Sequence, residues 1–422
     1  MNKTLKPGWS YKKLNELGFV GRGKSKHRPR NEPSLYGGKH PFIQTAEVTA
    51  SEFYIIKYSQ TYSDLGLAQS KLWDKNTLCI VNAGENTAET AILKFQACFP
   101  DSIIGFIADS EKADVRFIKY YLTTIKPQLR SITKGATQDN LSVSKLLLFD
   151  ILTPPLPIQR KIAGILSAYD DLIENNTRRI EILEEMARSI YREWFVKFRF
   201  PGHESVKMVN SELGPIPEGW KLKTLADFGQ VITGKTPSKK IPENFGSYMP
   251  FIKTPDMHNN MFCIKVGEYL SKIGVASQRN KTIPPNSLCV SCIGTAGIVA
   301  ITSVPSQTNQ QINSIILQEE LNREFLYFAL LGLKETINQY GANGATMVNL
   351  NKSKFESLRV TSPSKNLLSN FHKVTVSNFE MIRTLQLKNL NLRKTRDLLL
   401  PRLISGEIDV ENLDINTGEI AA

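Results

Sequence analysis

No stretch of this 422-residue chain forms a long uninterrupted apolar run; a membrane-spanning helix would need about 18 or more such residues. Its opening, MNKTLKPGWSYKK, lacks the apolar centre of a secretory leader, so the expectation is a cytoplasmic protein with no membrane partner. Cysteine is scarce too. Cys79, Cys98, Cys263, Cys289 and Cys292 are odd in number and irregular in spacing, which argues against a disulfide framework. Cys289 and Cys292 form a lone CxxC with no second pair and no neighbouring histidine, better read as a buried pair on a strand at Leu288 to Ile293 than as a zinc site. The five histidines, His27, His40, His203, His258 and His372, are scattered. No HExxH, no GxSxG and no defensible carboxylate pair occurs. These absences predict no metal site and no catalytic residue: a chain that reads rather than one that reacts.

What the chain does have is a long amphipathic stretch, Pro157 to Phe200. Apolar residues recur in alternating steps of four and three at Ile162, Leu166, Tyr169, Ile173, Ile180, Leu183, Ala187, Ile190 and Trp194, with Asn176 holding the remaining position. That is a heptad seam on one helix from Ile162 to Lys197, about 54 Å long at 1.5 Å per residue. Pro154, Pro155 and Pro157 should prevent an earlier start, and Pro201 and Gly202 should stop it. A narrow stripe of this length needs a partner.

The partner is in the same chain. Shifting the numbering places Gly135-Ala136-Thr137-Gln138-Asp139-Asn140-Leu141 on Gly344-Ala345-Thr346-Met347-Val348-Asn349-Leu350. In the same register Ile162, Tyr169, Leu183, Ile190 and Trp194 fall on Phe371, Asn378, Leu392, Leu399 and Leu403. A second seam helix is therefore expected from Leu367 to Leu400, with Pro401 ending or kinking it. Upstream, Pro41-Phe42-Ile43-Gln44-Thr45 matches Pro250-Phe251-Ile252-Lys253-Thr254, and Asn76 to Ile80 matches Asn286 to Val290. The chain is two copies of one unit, each a globular part followed by a long helix. The helices are expected to pair antiparallel through Ile162, Leu166, Tyr169, Ile173, Asn176, Leu183, Ile190 and Trp194 on one side and Phe371, Leu385, Leu392 and Leu399 on the other. Asn176, with Asn378 or Asn389 opposite, should fix their register.

Charge follows the same division. The net charge is +13. Residues 1 to 150 hold 21 basic against 14 acidic side chains and residues 200 to 365 hold 17 against 12, whereas the helical segments are nearly balanced. Positive charge in both globular parts points to a polyanion bound in duplicate, with nucleic acid the natural candidate. Strands are expected at Leu78 to Val81, Ala91 to Phe95 and Ile103 to Ile107, and again at Leu288 to Ile293, Gly297 to Ile301 and Ile312 to Leu317. Helices are expected at Val115 to Ile125 and Arg323 to Lys334. Both parts read as mixed α+β, and the tail beyond Ser405 as a short, weakly patterned extension.

Two segments satisfy GxxxxGK[ST]: Gly18 to Ser25 and Gly229 to Thr236. Read literally, they would make the chain a P-loop ATPase with a coiled-coil arm. A P-loop must follow a buried strand and open a helix, so that loop amides and the helix N-terminus hold the phosphates together. KKLNELG before the first match is no strand, and Pro237 and Pro242 after the second are unsuited to a long helix. The better reading is a glycine turn presenting Arg22, Lys24, Lys26, Arg28 and Arg30 in one copy and Lys235, Lys239 and Lys240 in the other. Loops that diverge between the copies add Lys134 and Gln138 against Asn343 and Met347, and Lys253 lies beside the matched Phe251-Ile252.

The segments Thr153 to Ala163 (TPPLPIQRKIA), Trp194 to Phe198, Gly234 to Ser238, Asn309 to Asn313 and Leu398 to Ile408 resemble the specificity subunits of type I restriction-modification systems, and the resemblance covers the whole chain. Ser362 to Leu368 departs from the proline-rich start of the first helix. The resemblance implies an α+β fold with two similar mixed α/β target recognition domains, separated by two long antiparallel coiled-coil helices in an internal pseudo-twofold repeat. The implied division is 1–153 and 202–363 for the recognition domains, 154–201 and 364–405 for the spacer helices, and 406–422 for a C-terminal extension. It further implies a sequence-specific reader of a bipartite, asymmetric double-stranded DNA site, docking two methyltransferase (modification) subunits and restriction subunits. No cofactor is expected on this chain; S-adenosylmethionine, ATP and Mg would belong to its partners.

Overall fold

The computed structural model describes residues 5–27, 29–132, 140–342 and 349–415. Contacts divide them into one unit of residues 1–173 and 392–422 and another of 174–391. Each unit therefore holds a globular part and a portion of both long helices.

In the first unit, apolar runs of β-branched and aromatic residues build a five-stranded sheet ordered Gly18–Arg22, Ile103–Ala108, Leu78–Val81, Thr90–Leu93, Tyr54–Ile55. Neighbours run antiparallel except the last pair. Leu78 to Val81 and Thr90 to Leu93 are buried throughout, as continuous apolar strands require. The helix Val115–Thr124 covers this sheet with Phe117, Ile118 and Leu122. A smaller sheet, Gln60–Tyr62, Tyr36–Phe42, Ala97–Cys98, Leu72–Trp73, completes the globular part. Ser10–Lys12 pairs with Ile151–Thr153 and ties its two ends.

The second unit repeats this plan. Its large sheet runs Gly229–Thr233, Ile312–Leu317, Leu288–Ser291, Val299–Thr302, Phe262–Cys263. Tyr269–Leu270, Phe245–Ile252 and Gln307–Thr308 form the small one. Arg323–Gly332 is the covering helix, and Lys221–Thr224 paired with Arg359–Ser362 ties the ends. The expected strands and covering helices are found within a few residues.

The first long helix is Leu156–Tyr191, 36 residues, followed by a π-helical turn at Arg192–Val196. It begins earlier than expected because Pro157 falls in the first turn, where a missing amide has no partner to lose. The second, Lys365–Ile404, is 40 residues long and contains Pro401 near its end. That proline does not end the helix; Gly406, left-handed at φ +72°, follows its last turn. Beyond it Ile408 and Val410 of the tail join the apolar cluster of the first unit together with Trp9.

The seams pair antiparallel within each unit. In the second unit Asn176 Nδ2 donates to Asn389 Oδ1 at 2.9 Å, and Trp194 lies 5.9 Å from Phe371. Moving up the first helix moves the partner down the second by the same count. Asn378, the other expected partner, donates instead to the Leu183 carbonyl at 3.4 Å. In the first unit Ile162 and Leu166 cluster with Leu400, Leu403 and Ile404, with Leu399 partly buried alongside. Ile173 and Leu385 are buried, each in its own unit, while Tyr169, Leu183, Ile190 and Leu392 are partly covered.

Asp170 is the polar centre of the first unit's seam. Tyr120 of the covering helix donates to one of its oxygens and Arg396 of the second long helix to the other. Burial pushes the Asp170 carboxyl up, and Arg396 opposes the rise. Nearby, burial holds the Lys119 amine down to about 8.

Two outcomes follow from these pairs. Asn176→Ala should lower unfolding free energy by about 1 kcal/mol, while leucine at both Asn176 and Asn389 should restore or raise it at the expense of register; urea denaturation measures both. An unfolded lysine titrates near its ordinary value of about 10.4, so between roughly pH 8 and 10.4 the unfolded chain binds the extra proton. Lys119 therefore adds stability as pH rises through that window and detracts from it below. Lys119→Met should flatten that part of the stability profile and stabilise the protein at pH 7; an unchanged slope would show that Lys119 does not titrate there.

Candidate nucleic-acid interface

Both GxxxxGK[ST] segments lie on edge strands of the large sheets, not on phosphate loops. Gly18–Arg22 and Gly229–Thr233 are strands, and no helix starts at Lys24 or Lys235. The expected glycine turn is thus a strand and its continuation. Gly23 is required because a Cβ there would stand 2.2 Å from the Pro100 carbonyl oxygen; at Gly234 it would stand 2.1 Å from that of Asn309.

After each crossing the chain runs as an arm along the small-sheet side of that globular part, its main chain tied down. The Lys24 amide donates to the Phe99 carbonyl at 3.0 Å and Ser70 Oγ to the Lys24 carbonyl at 2.7 Å. The His27 amide donates to Gln69 Oε1 at 3.0 Å, and the Tyr36 hydroxyl to the Arg30 carbonyl at 2.7 Å. In the second unit the Lys235 amide donates to the Thr308 carbonyl at 2.9 Å, Gln278 Nε2 to the Lys235 carbonyl at 2.7 Å and Asn244 Nδ2 to the Ser238 carbonyl at 3.0 Å. Lys26, Lys235, Lys239 and Lys240 are exposed and Lys24 is half-buried. None of these five ammonium groups has an ion-pair partner among the described residues. A fixed main chain carrying unpaired cations suits a phosphate backbone, because little ordering remains to be done on binding.

The arginines behave differently. Arg22 donates through Nε and Nη2 to the Asp101 carbonyl oxygen at 3.2 and 2.9 Å, while Arg30 Nη2 meets the Asp101 carboxylate at 2.9 Å. Asn82 Nδ2 donates to the same carbonyl oxygen as Arg22, at 2.9 Å. Residues 82 and 83 also hold the start of the next segment, through the Leu141 amide on the Asn82 carbonyl at 2.7 Å and a bridge between Ala83 and Asn140. Sequence patterning gave no sign of Asp101 or Asn82, whose roles depend on contacts between distant segments. In the second unit neutral groups occupy this region: Thr236 Oγ1 donates to Gln310 Oε1 at 2.5 Å, Thr233 Oγ1 to Asn313 Oδ1 at 2.7 Å and Thr254 Oγ1 to Gln311 Oε1 at 3.3 Å. One frame carries a charged cluster in one copy and an amide and hydroxyl cluster in the other.

Lys253 does not join the arm. Its ammonium is 2.6 Å from Glu268 and 5.8 Å from the centre of the Phe251 ring. Arg28, Lys134, Gln138, Asn343 and Met347 lie outside the described residues. Cys289 and Cys292 are buried, Cys289 on its strand and Cys292 just past it, and burial raises their thiols to about 12 and about 11. Among the described residues no group of His, Cys, Asp and Glu is placed to hold a metal ion, and no helix is long and apolar enough to cross a membrane.

The duplicated frame has known counterparts. The type I restriction modification DNA specificity domain matches residues 6–185 and again 217–367. The HindI specificity subunit of Haemophilus influenzae, a type I restriction enzyme component, is 34% identical over 333 residues, 65% of this chain and 72% of that protein. The MjaIX specificity subunit of Methanocaldococcus jannaschii is 26% identical over 414 residues, 96% of this chain and 94% of its own. Among solved structures, the type I restriction-modification S subunit from M. genitalium superposes with a TM-score of 0.58 at 16% identity, covering 95% of this chain and 98% of the other, a likeness of fold. The chain belongs to the specificity subunits of type I restriction-modification systems.

If the arm lysines meet phosphates, Lys235→Ala, Lys239→Ala and Lys240→Ala should each weaken binding to all DNA sequences alike and reduce the salt slope by about one. Lys253→Ala should leave the slope unchanged, its charge being committed to Glu268. Equilibrium binding of the assembled complex across a salt series separates the two.

Proposed function

We propose that each globular part reads one half of a bipartite, asymmetric double-stranded DNA site, residues 1–153 one half and 202–363 the other, and that the helices 154–201 and 364–405 set the spacing between the halves. The carrying observation is the repeat itself: two copies of one frame, with a basic arm in each, present unlike groups at matched places. A single frame used twice suits two similar sites on one duplex. Unlike groups suit two different base sequences. The repeat also gives the chain two similar docking surfaces, which fits two identical methyltransferase subunits, with restriction subunits added to the assembly. On this reading the chain is non-catalytic and binds no cofactor. S-adenosylmethionine, ATP and Mg act on the partner subunits, and adenine methylation at the site is the partners' chemistry.

The P-loop ATPase reading has no support in the fold, because the stretches that would cradle phosphates are sheet strands with no following helix.

The test is an exchange of residues 1 to 150 for the matching part of a relative, co-expressed with the methyltransferase subunits, followed by mapping of methylated adenines. One half of the methylated motif should change while the other half and the spacer stay. A change in both halves, or in spacing, would show that the parts do not read independently.

A further inference from the structure

Apart from the arms, each globular part carries a second repeated device at the edge of its small sheet. Tyr36 and His40 both face Tyr62 across the ladder, so Gly37, Gly38 and Lys39 bulge out of the strand. Phe245 and Met249 both face Leu270, which ejects Gly246, Ser247 and Tyr248 in the same way. Next to each bulge lies a single helical turn, Asp64–Ala68 or Lys272–Ala276. Ser63 Oγ accepts from the Gly66 amide at 3.2 Å and Ser271 Oγ from the Gly274 amide at 3.1 Å.

Both turns are locked against the preceding segment. The Ser63 amide donates to the Leu35 carbonyl at 2.8 Å and the Ser271 amide to the Asn244 carbonyl at 3.0 Å. A Cβ on Gly66 would come within 2.3 Å of the Leu35 carbonyl oxygen, and one on Gly274 within 2.0 Å of that of Asn244. The two tips share a backbone, down to which residue must be glycine.

What the shared backbone displays is different. The first tip shows Lys39, Asp64 and Leu65, with Asp64 Oδ1 3.5 Å from Lys39 and 2.9 Å from His40. The second shows Tyr248, Lys272 and Ile273, with the Lys272 ammonium 5.6 Å from the Tyr248 ring. Leu65 and Ile273 are 65% and 60% exposed. A bare aliphatic group on a locked turn adds nothing to the core, and here it occurs twice at one place in the frame. A strand bulge is a means of re-aiming side chains. Each tip also adjoins its arm: Gln69 and Ser70, directly after the first turn, hold the Lys24 to His27 main chain, and Gln278, just after the second, holds Lys235. A duplex held by an arm's lysines would pass the tip beside it.

The geometry points to these tips as base-reading elements: Lys39, Asp64 and Leu65 for one half of the site, Tyr248, Lys272 and Ile273 for the other. The chemistry matches major-groove edges. An ammonium donates to guanine O6 and N7, a carboxylate accepts from the cytosine amino group, and an aliphatic group contacts the thymine methyl. The assignment rests on the reading of the chain as the DNA-recognising subunit.

The full-length chain, co-expressed with its methyltransferase subunits, is assayed by mapping methylated adenines for the wild type, Leu65→Ala, Ile273→Ala and the triple graft Lys39→Tyr, Asp64→Lys, Leu65→Ile. Leu65→Ala should relax discrimination roughly tenfold at a position in one half only, and Ile273→Ala in the other half only. The graft should change the preferred bases of the first half and leave the second half and spacer intact. Thermal unfolding should match wild type throughout, since the altered side chains are exposed. An unchanged motif would overturn the assignment. So would a variant that unfolds early, which would make the tip structural, or one that no longer co-purifies with the methyltransferase subunits, which would make it a protein contact. A wild type that yields no two-part motif would fail at the earlier step and bring down the functional reading itself.

Discussion

Two helices of 36 and 40 residues with narrow apolar seams cannot stand in water singly, and the requirement that each bury its seam against the other organises this chain. Register along such a seam is poorly determined by leucine and isoleucine alone, which tolerate sliding. Polar groups determine it. In the second unit a neutral amide pair, Asn176 with Asn389, holds the position; in the first, Asp170 is held by Tyr120 and Arg396 together. A buried carboxylate is expensive to desolvate and adds little net stability even when well paired, so its value lies in the one alignment that satisfies it. Because Tyr120 belongs to the helix covering the first sheet, the same carboxylate aligns the long helices with each other and with the globular part they carry.

The repeat separates residues that make the frame from residues that use it. Frame positions are recognisable by what a substitution would meet: a carbonyl oxygen within about 2 Å of a new Cβ at Gly23, Gly66, Gly234 and Gly274. Serine hydroxyls capping the short turns belong to the same class. Among the described residues the Arg22, Arg30 and Asp101 cluster has no charged equivalent in the second copy, and Asp64 at the first tip corresponds to Lys272 at the second. Such differences of charge at matched backbone positions leave the frame the same in both copies, yet they would change any ligand that a tip or cluster can accept.

Elements dominated by local pattern were legible in the sequence. Strands such as Leu78–Val81 and Ile312–Leu317, the covering helices and the heptad seams all rest on periodicity, and each stands where the pattern places it. The failures share a cause. Pro157, expected to bar an earlier start, sits harmlessly in the first turn, and the packing of Ile408 and Val410 depends on a cluster that includes Trp9, at the far end of the chain. The ion pair of Lys253 with Glu268 likewise joins segments that local pattern does not relate. The bulges and one-turn helices left no signal, since a bulge is a property of two strands together and five residues are too few for a helical period.

The two nucleotide-like motifs illustrate how a frame can imitate a function. Both glycines of GxxxxG are explained twice over without a phosphate. A Cβ at Gly18 would come within 2.2 Å of the Ile107 carbonyl oxygen and at Gly229 within 2.0 Å of that of Ile316, where each edge strand begins against its neighbour. Gly23 and Gly234 serve the crossing at the other end. The spacing between the glycines is the length of a short strand, and the Lys that follows each is the first cation of an arm, flanked by a hydroxyl residue, Ser25 or Thr236, that bonds within its own unit. Glycine, strand, glycine, lysine and hydroxyl thus recur in both copies for reasons of packing and charge placement. A phosphate loop needs the same letters for another reason, to aim amides and a helix end at one point. The distinction lies in the element that follows, and here it is an arm in both copies, with carbonyls and amides tied to its own globular part and with Lys26, Lys235, Lys239 and Lys240 exposed.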